Sequence, residues 1–145
     1  RIEMLISTFE LYLSDRSIKE WANELSYLER LDKSWDLFLD KLSDIGDEEY
    51  LPEGFDVPLE QILHYFIYRH FISAEDENDA KERLAFAVLS VRIIGAMFRK
   101  CIEENNSSLE TLIEISRMYS GEIEYSEENT ESLLEYLSEY RYEIN

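Results

Sequence analysis

The sequence of 145 residues fits one domain and is long enough to bury a hydrophobic core. Its hydrophobic content of 45% argues against disorder, and four glycines and two prolines are too few for the turns that strands require. A net charge of −19 argues against nucleic-acid binding, and the longest apolar stretch, residues 84–98, is too short to span a membrane. We therefore predict an all-α fold, a single helical domain of about six to seven helices, with neither nucleic acid nor membrane as partner.

Apolar residues at three- and four-residue steps predict three helices in the first third of the chain. The first covers residues 2–13, and the second begins after Ser17, which can cap it. The third runs from about Ser34 and is expected to end at Gly46, because glycine accepts the left-handed conformation at a helix end.

Two helices that are apolar on nearly every side are predicted at the centre of the fold. Residues 46–58 form a long connection, and Pro58 suits the first turn of the helix that follows it. That helix covers about residues 59–73, and the next covers about 80–104. Since neither has a polar face, the remaining helices must cover them. The side chains expected to be largely buried are Trp21, Trp35, Phe66 and Phe86.

The last third of the chain is predicted to form two helices joined by a corner. Ser107 and Glu110 match the capping-box pattern that opens a sixth helix, and Gly121 is expected to end it. Ser126 can cap the seventh helix, with Asn129 at its third position as a weak substitute for the usual Glu or Gln.

No residue pattern in the sequence predicts a catalytic centre or a metal site. His64 and His70 are six positions apart, so they do not share one helix face. Cys101 is the single cysteine, and we expect a structural thiol rather than a nucleophile. A chain that cannot form an internal disulfide suits a reducing compartment such as the cytoplasm.

Two arginines interrupt apolar helices, and their partners define the candidate site. Arg69 and Arg92 either lie on narrow solvent-facing strips or are buried, in which case each guanidinium needs carboxylate or carbonyl partners. Glu122 and Glu124 occupy the corner before the last helix, where capping does not explain them. We expect residues 119–129 to form a structural corner whose carboxylates contact Arg69 or Arg92.

The negative charge is concentrated toward the two ends of the sequence. Residues 1–63 carry 16 acidic and 6 basic side chains, and residues 103–145 carry 12 and 2. Residues 64–102 nearly balance, with 5 acidic and 6 basic. Such a surface permits a basic protein partner, although solubility alone would also explain it.

The stretch YSGEIEYSEEN, residues 119–129, resembles the carboxy-terminal signature of the flagellin lysine-N-methylase family. The matching residues are Tyr119, Ser120, Glu122, Ile123, Glu124, Ser126, Glu127, Glu128 and Asn129. The aromatic segment LEQILHYFIYRHF is similar to a family helix through Tyr65, Phe66, Tyr68, Arg69 and Phe71. Gly121 and Tyr125 depart from the family pattern, which has Arg and His at those positions.

The resemblance implies that the chain is the carboxy-terminal helical region of a longer bacterial protein, as its start at Arg1 rather than Met also suggests. The family transfers methyl groups from S-adenosylmethionine to lysine side chains of flagellin, and an iron–sulfur cluster is expected in its full-length members. Flagellin or another lysine-bearing protein is thus the implied partner.

For this chain the resemblance implies a scaffold or substrate-contact role, with no cofactor of its own and no activity in isolation. The alternative is a non-enzymatic, acidic helical module that docks a protein partner. Either reading rests on the same candidate residues, namely Tyr119, Ser120, Glu122, Glu124, Ser126, Asn129, Arg69 and Arg92.

Overall fold

The structure is a computed structural model that describes residues 17–45, 54–106 and 108–144, with side chains as far as residue 139. All regular structure within those residues is helical, which confirms the all-α prediction. The helix predicted over residues 2–13 and the stop predicted at Gly46 lie outside the described residues. In chain order the elements are α1 (Ile18–Leu25), α2 (Ser34–Ser43), α3 (Asp56–Phe71), α4 (Glu77–Glu103), α5 (Leu109–Tyr119), a π-helical turn (Ser120–Glu124) and α6 (Glu127–Ile144).

The central element is α4, which contacts α1, α2, α3, α5 and α6. Every residue from Ala85 to Gly95 is buried, so no side of this stretch faces solvent. The helix starts three residues before the predicted position because Asp76 caps it, accepting a hydrogen bond of 2.8 Å from the backbone N–H of Asp79. The four large side chains predicted to be buried, Trp21, Trp35, Phe66 and Phe86, are at most 1% exposed, which confirms that prediction.

Only one face of α3 is buried, although a position covered on all sides was expected for this helix. The buried residues Leu59, Leu63, Phe66 and His70 recur at three- and four-residue steps and form a single stripe against α4. On its other faces α3 leaves apolar side chains in solvent, with Tyr68 76% exposed. Composition alone suggested a helix covered on all sides, but α4 covers one stripe of α3, and Tyr119 and Glu124 contact its carboxyl-terminal half.

The caps at the starts of α1 and α6 follow from local sequence. Ser17 and Glu20 form a reciprocal capping box at the start of α1, and the hydroxyl of Ser126 accepts a hydrogen bond of 3.1 Å from the backbone N–H of Asn129 at the start of α6. Both predicted caps are confirmed. At α5 the capping residue is Ser108, one position after the predicted Ser107, which itself lies outside the described residues.

The helical backbone does not end at Gly121, where the end of the sixth predicted helix was expected. It continues from α5 into the five-residue π-helical turn, closed by a hydrogen bond of 3.1 Å from the backbone N–H of Tyr125 to the carbonyl of Ser120. Gly121 lies inside this turn, and a methyl group added there would meet no other atom, so close packing does not require a glycine. Among the described residues no helix combines the length and apolar composition needed to cross a membrane.

Candidate functional site at the corner between α5 and α6

Glu122 anchors the loop between α1 and α2. Its side chain is buried, and its two carboxylate oxygens accept backbone hydrogen bonds from Leu31 (2.7 Å) and Asp32 (3.1 Å). The expectation that Glu122 would contact Arg69 or Arg92 is therefore corrected. Two backbone N–H groups at a bend have no helical partner of their own, and a buried carboxylate satisfies both.

Asn129 fastens the same loop from the first turn of α6. Its amide nitrogen donates to the carbonyls of Glu29 (2.9 Å) and Glu122 (2.8 Å), and its amide oxygen accepts from the backbone N–H of Glu29 (2.8 Å). The side chain is fully buried, and these three bonds satisfy most of the hydrogen-bonding capacity of its amide group. Instead of substituting for a capping-box Glu, Asn129 thus joins α6, the π-helical turn and the α1–α2 loop. The hydroxyl of Ser126 adds a bond of 3.2 Å to the Glu29 carboxylate.

Glu124 points to the other side of the turn and joins it to α3. Its Oε2 lies 3.0 Å from Nε of Arg69 and 2.7 Å from Nε2 of His70. The Glu124 side chain is 1% exposed, whereas that of Arg69 is 46% exposed, so the ion pair reaches from the interior to the surface. The contact with Arg69 is one of the two that were expected, and the contact with His70 was not.

His70 could have been identified from its position. It follows Phe66 by four residues and ends the buried stripe of α3, so it faces inward while Arg69 beside it reaches solvent. Burial pushes the pKa of Glu124 upward, but hydrogen bonds from His70 and Ser120 and the positive charge of Arg69 outweigh it and lower the pKa overall. The carboxylate is therefore held in its charged form.

Tyr119 is fully buried at the end of α5, beside the rings of Phe66 and Trp35. Its hydroxyl lies 2.8 Å from Oγ of Ser90, whose own hydrogen is directed to the carbonyl of Phe86 at 2.8 Å. Tyr119 must then be the donor to Ser90. Burial raises the pKa of Tyr119 far above its ordinary range, so the phenol stays protonated and does not act as a base.

The candidate residues fall into two clusters on opposite sides of the turn. Glu122, Ser126 and Asn129 meet at the α1–α2 loop, and Glu124 meets Arg69 at α3. Arg92 is also buried, within α4, but the described contacts of Glu122 and Glu124 are made by other groups.

A groove of about 520 Å³ runs between α3 and α5 beside the Glu124 cluster. We call it the α3–α5 groove. It is lined by Ile62 and Tyr65 of α3, by Leu112, Ile113 and Arg117 of α5, and by Tyr125 after the turn. Burial and the neighbouring charge of Glu124 raise the pKa of Tyr65. The groove was not predicted, although the apolar positions on the outer face of α5 were a signal of it.

The described residues hold no group of three or more His, Cys, Asp or Glu side chains that would bind a metal ion. Cys101 is buried, and burial raises the pKa of its thiol, as expected of a structural cysteine.

Comparison with known proteins gave one result. The family model described as the FliB lysine N-methylase C-terminal domain matches residues 2–144. A search of curated proteins and a search of solved structures found no match. The family match extends over both clusters and the groove, well beyond the eleven-residue stretch in which the likeness is most specific. The chain therefore belongs to the FliB lysine N-methylase C-terminal domain family.

Proposed function

We propose that this chain is the scaffold and substrate-contact domain of a bacterial, cytoplasmic protein that methylates lysine side chains of flagellin with S-adenosylmethionine. The observation that supports the proposal is the family match over residues 2–144. The geometry of the corner indicates which roles its residues can perform.

The corner residues are suited to a scaffold rather than to proton transfer. A lysine must lose a proton before it attacks a methyl donor, so a catalytic base has to be reachable and unoccupied. Both oxygens of Glu122 accept backbone hydrogen bonds, and the Glu124 side chain is 1% exposed, with its Oε2 in contact with Arg69 and His70. Tyr119 is buried and protonated. We therefore assign these residues to holding the fold.

Substrate contact is better supported by the surface of α6. Glu128, Glu131, Glu135 and Glu139 are exposed and recur at three- and four-residue steps along one side of this helix. Such a row of carboxylates attracts lysine-bearing proteins, and its field extends about 8 Å at physiological ionic strength.

An iron–sulfur cluster does not fit the residues of this chain. Cysteine thiolates generally hold such clusters, and the sequence has one cysteine, Cys101. We propose that the cluster and S-adenosylmethionine are bound by other parts of the longer protein, and we assign no step to them here.

The test is a methylation assay of the longer protein that contains this chain, with flagellin as substrate and mass spectrometry to count methylated lysines. Replacing Glu131, Glu135 and Glu139 with Gln should lower kcat/KM about tenfold at low ionic strength, with a smaller effect in high salt. The control removes three charges elsewhere, by Asp40→Asn, Glu75→Gln and Glu77→Gln, and should have little effect.

Equal rates for both triple variants would contradict the role of the α6 surface. Methyl transfer by the 145-residue chain alone would contradict the assignment of a scaffold. If the longer protein methylates lysine in other proteins but not in flagellin, flagellin is not its substrate.

A non-enzymatic interaction module is the second candidate, and the exposed apolar side chains of α3 favour it. Tyr68, Phe71 and Ile72 are 76%, 43% and 72% exposed and line one surface pocket, and a contiguous exposed apolar patch is typical of a protein-interaction site. A longer protein without a cysteine cluster and without methylation activity would support this candidate over the first.

A further inference from the structure

The lining of the α3–α5 groove differs in charge from the sequence as a whole. The sequence has 33 acidic against 14 basic residues, yet among the described residues that line the groove Arg117 is the one charged side chain. The glutamates of α5, Glu110 and Glu114, are not part of the lining. Solubility of an acidic protein does not explain why the described residues of this lining include no acidic side chain.

The apolar side chains of the groove also remain accessible. Tyr65, Ile113 and Tyr125 are 47%, 45% and 75% exposed, while Phe66 and Leu112 form a buried floor beneath them. Tyrosine and arginine are enriched in the cores of protein interfaces, whereas lysine and the acidic residues are depleted. The lining of the groove has that composition.

We propose that the α3–α5 groove binds an amphipathic helix of a partner protein, and that this helix carries a carboxylate on its apolar face, which pairs with Arg117. A groove with a helix on each side and an apolar floor accepts the apolar face of a third helix through residues spaced by three and four. The guanidinium of Arg117 on one wall then selects a carboxylate over a lysine at the matching position. This site is distinct from the acidic surface of α6 and does not depend on methylation.

The test uses the 145-residue chain and two designed helical peptides of about five turns. Both peptides have the same composition and net charge. One places a Glu on the apolar face and a Lys on the polar face, and the other exchanges the two. Because their net charges are equal, the long-range field of the chain affects both alike. Affinity is measured by fluorescence anisotropy, and the binding site by chemical-shift changes of backbone amides.

We expect the peptide with the inward Glu to bind about tenfold more tightly than the other, with shift changes confined to α3, α5 and the residues after the turn. Arg117→Glu should invert this preference. Lys19→Glu makes the same charge change on α1, away from the groove, and should leave the preference intact. Ile113→Ala should weaken both peptides, whereas Tyr68→Ala, which removes an exposed ring outside the groove, should weaken neither.

Equal affinity for the two peptides, or a preference that survives Arg117→Glu, would overturn the proposal. Shift changes outside the groove would also overturn it. The chain could instead form a dimer that dissociates on Ile113→Ser and binds neither peptide. That result would identify a second copy of the chain as the occupant of the groove and would also reject the proposal. No binding by either peptide at millimolar concentration would mean that the groove is not a docking site for such helices.

Discussion

Replacement of Glu122 by Gln tests whether this carboxylate holds the α1–α2 loop. The change preserves the shape of the side chain but leaves one acceptor oxygen where there were two. If that oxygen stays opposite Leu31, the new NH₂ group faces the backbone N–H of Asp32, 3.1 Å from the present carboxylate oxygen. Two donors then oppose each other in a buried position.

The expected cost follows from these two bonds. A buried donor left unsatisfied costs about 1–3 kcal/mol, and a hydrogen bond to a charged acceptor contributes about 1.5–3 kcal/mol, more than a neutral one. Relief from burying a charge offsets part of the sum. We therefore expect Glu122→Gln to lower the free energy of unfolding by about 3 kcal/mol.

The measurement is urea unfolding followed by far-ultraviolet circular dichroism, with hydrogen exchange at individual amides. Glu127→Gln is the matched control, because Glu127 is exposed in the first turn of α6 and its loss should cost about 0.3–1 kcal/mol. In Glu122→Gln the amides of Leu31 and Asp32 should exchange faster than the change in global stability accounts for. A cost no larger than that of the control, or unchanged protection at both amides, would refute the reasoning.

Three further changes test other parts of the fold by the same unfolding measurement. Phe86→Ala, at a fully buried position, should cost about 3–5 kcal/mol, and a value below 2 kcal/mol would mean that the site collapses without a cavity. Tyr119→Phe should cost about 1 kcal/mol because it removes one hydrogen bond to Ser90 and no volume from the core, and no change would mean that the bond is dispensable. Glu124→Gln should cost about 2 kcal/mol at pH 7, below the value for a fully buried pair, because the half-exposed Arg69 can turn to solvent. Since folding lowers the pKa of Glu124 below 4.5, its stabilisation is complete above that pH and is lost as the pH falls through the lower folded value. The cost of Glu124→Gln should then shrink as the pH falls below the ordinary titration range of a glutamate, and a constant cost would exclude the ion pair as its source.

The parts of the fold that sequence predicted are those set by local chemistry. A serine before an apolar-periodic run caps a helix wherever it occurs, and Ser17 and Ser126 do so here. Apolar spacing likewise placed Trp21, Trp35 and Phe86 in the core, because burial of one helix stripe depends on residues close in sequence.

The contacts of the corner depend on parts of the chain far apart in sequence, and that is why they were predicted only in part. Glu122 binds backbone N–H groups 91 and 90 positions away, and a backbone N–H carries no signal of residue type. The exposure of α3 has a similar origin, since the number of helices that cover an apolar segment is a property of the whole fold. Arg69 was identified because a charge within an apolar helix requires a partner.

The two buried glutamates of the turn have different consequences for the groove. Glu122 and Asn129 fix the π-helical turn to the α1–α2 loop, and Glu124 fixes it to the carboxyl-terminal end of α3. Since α5 leads directly into this turn, the position of α3 relative to α5, and thus the width of the groove, depends on the Glu124 cluster. Because Glu122 and Glu124 are buried, a lysine side chain of another protein does not reach either carboxylate in this conformation. Under the proposed function, the residues of the corner therefore act by positioning α3, α5 and α6, and a partner protein is contacted by the surfaces that these helices present.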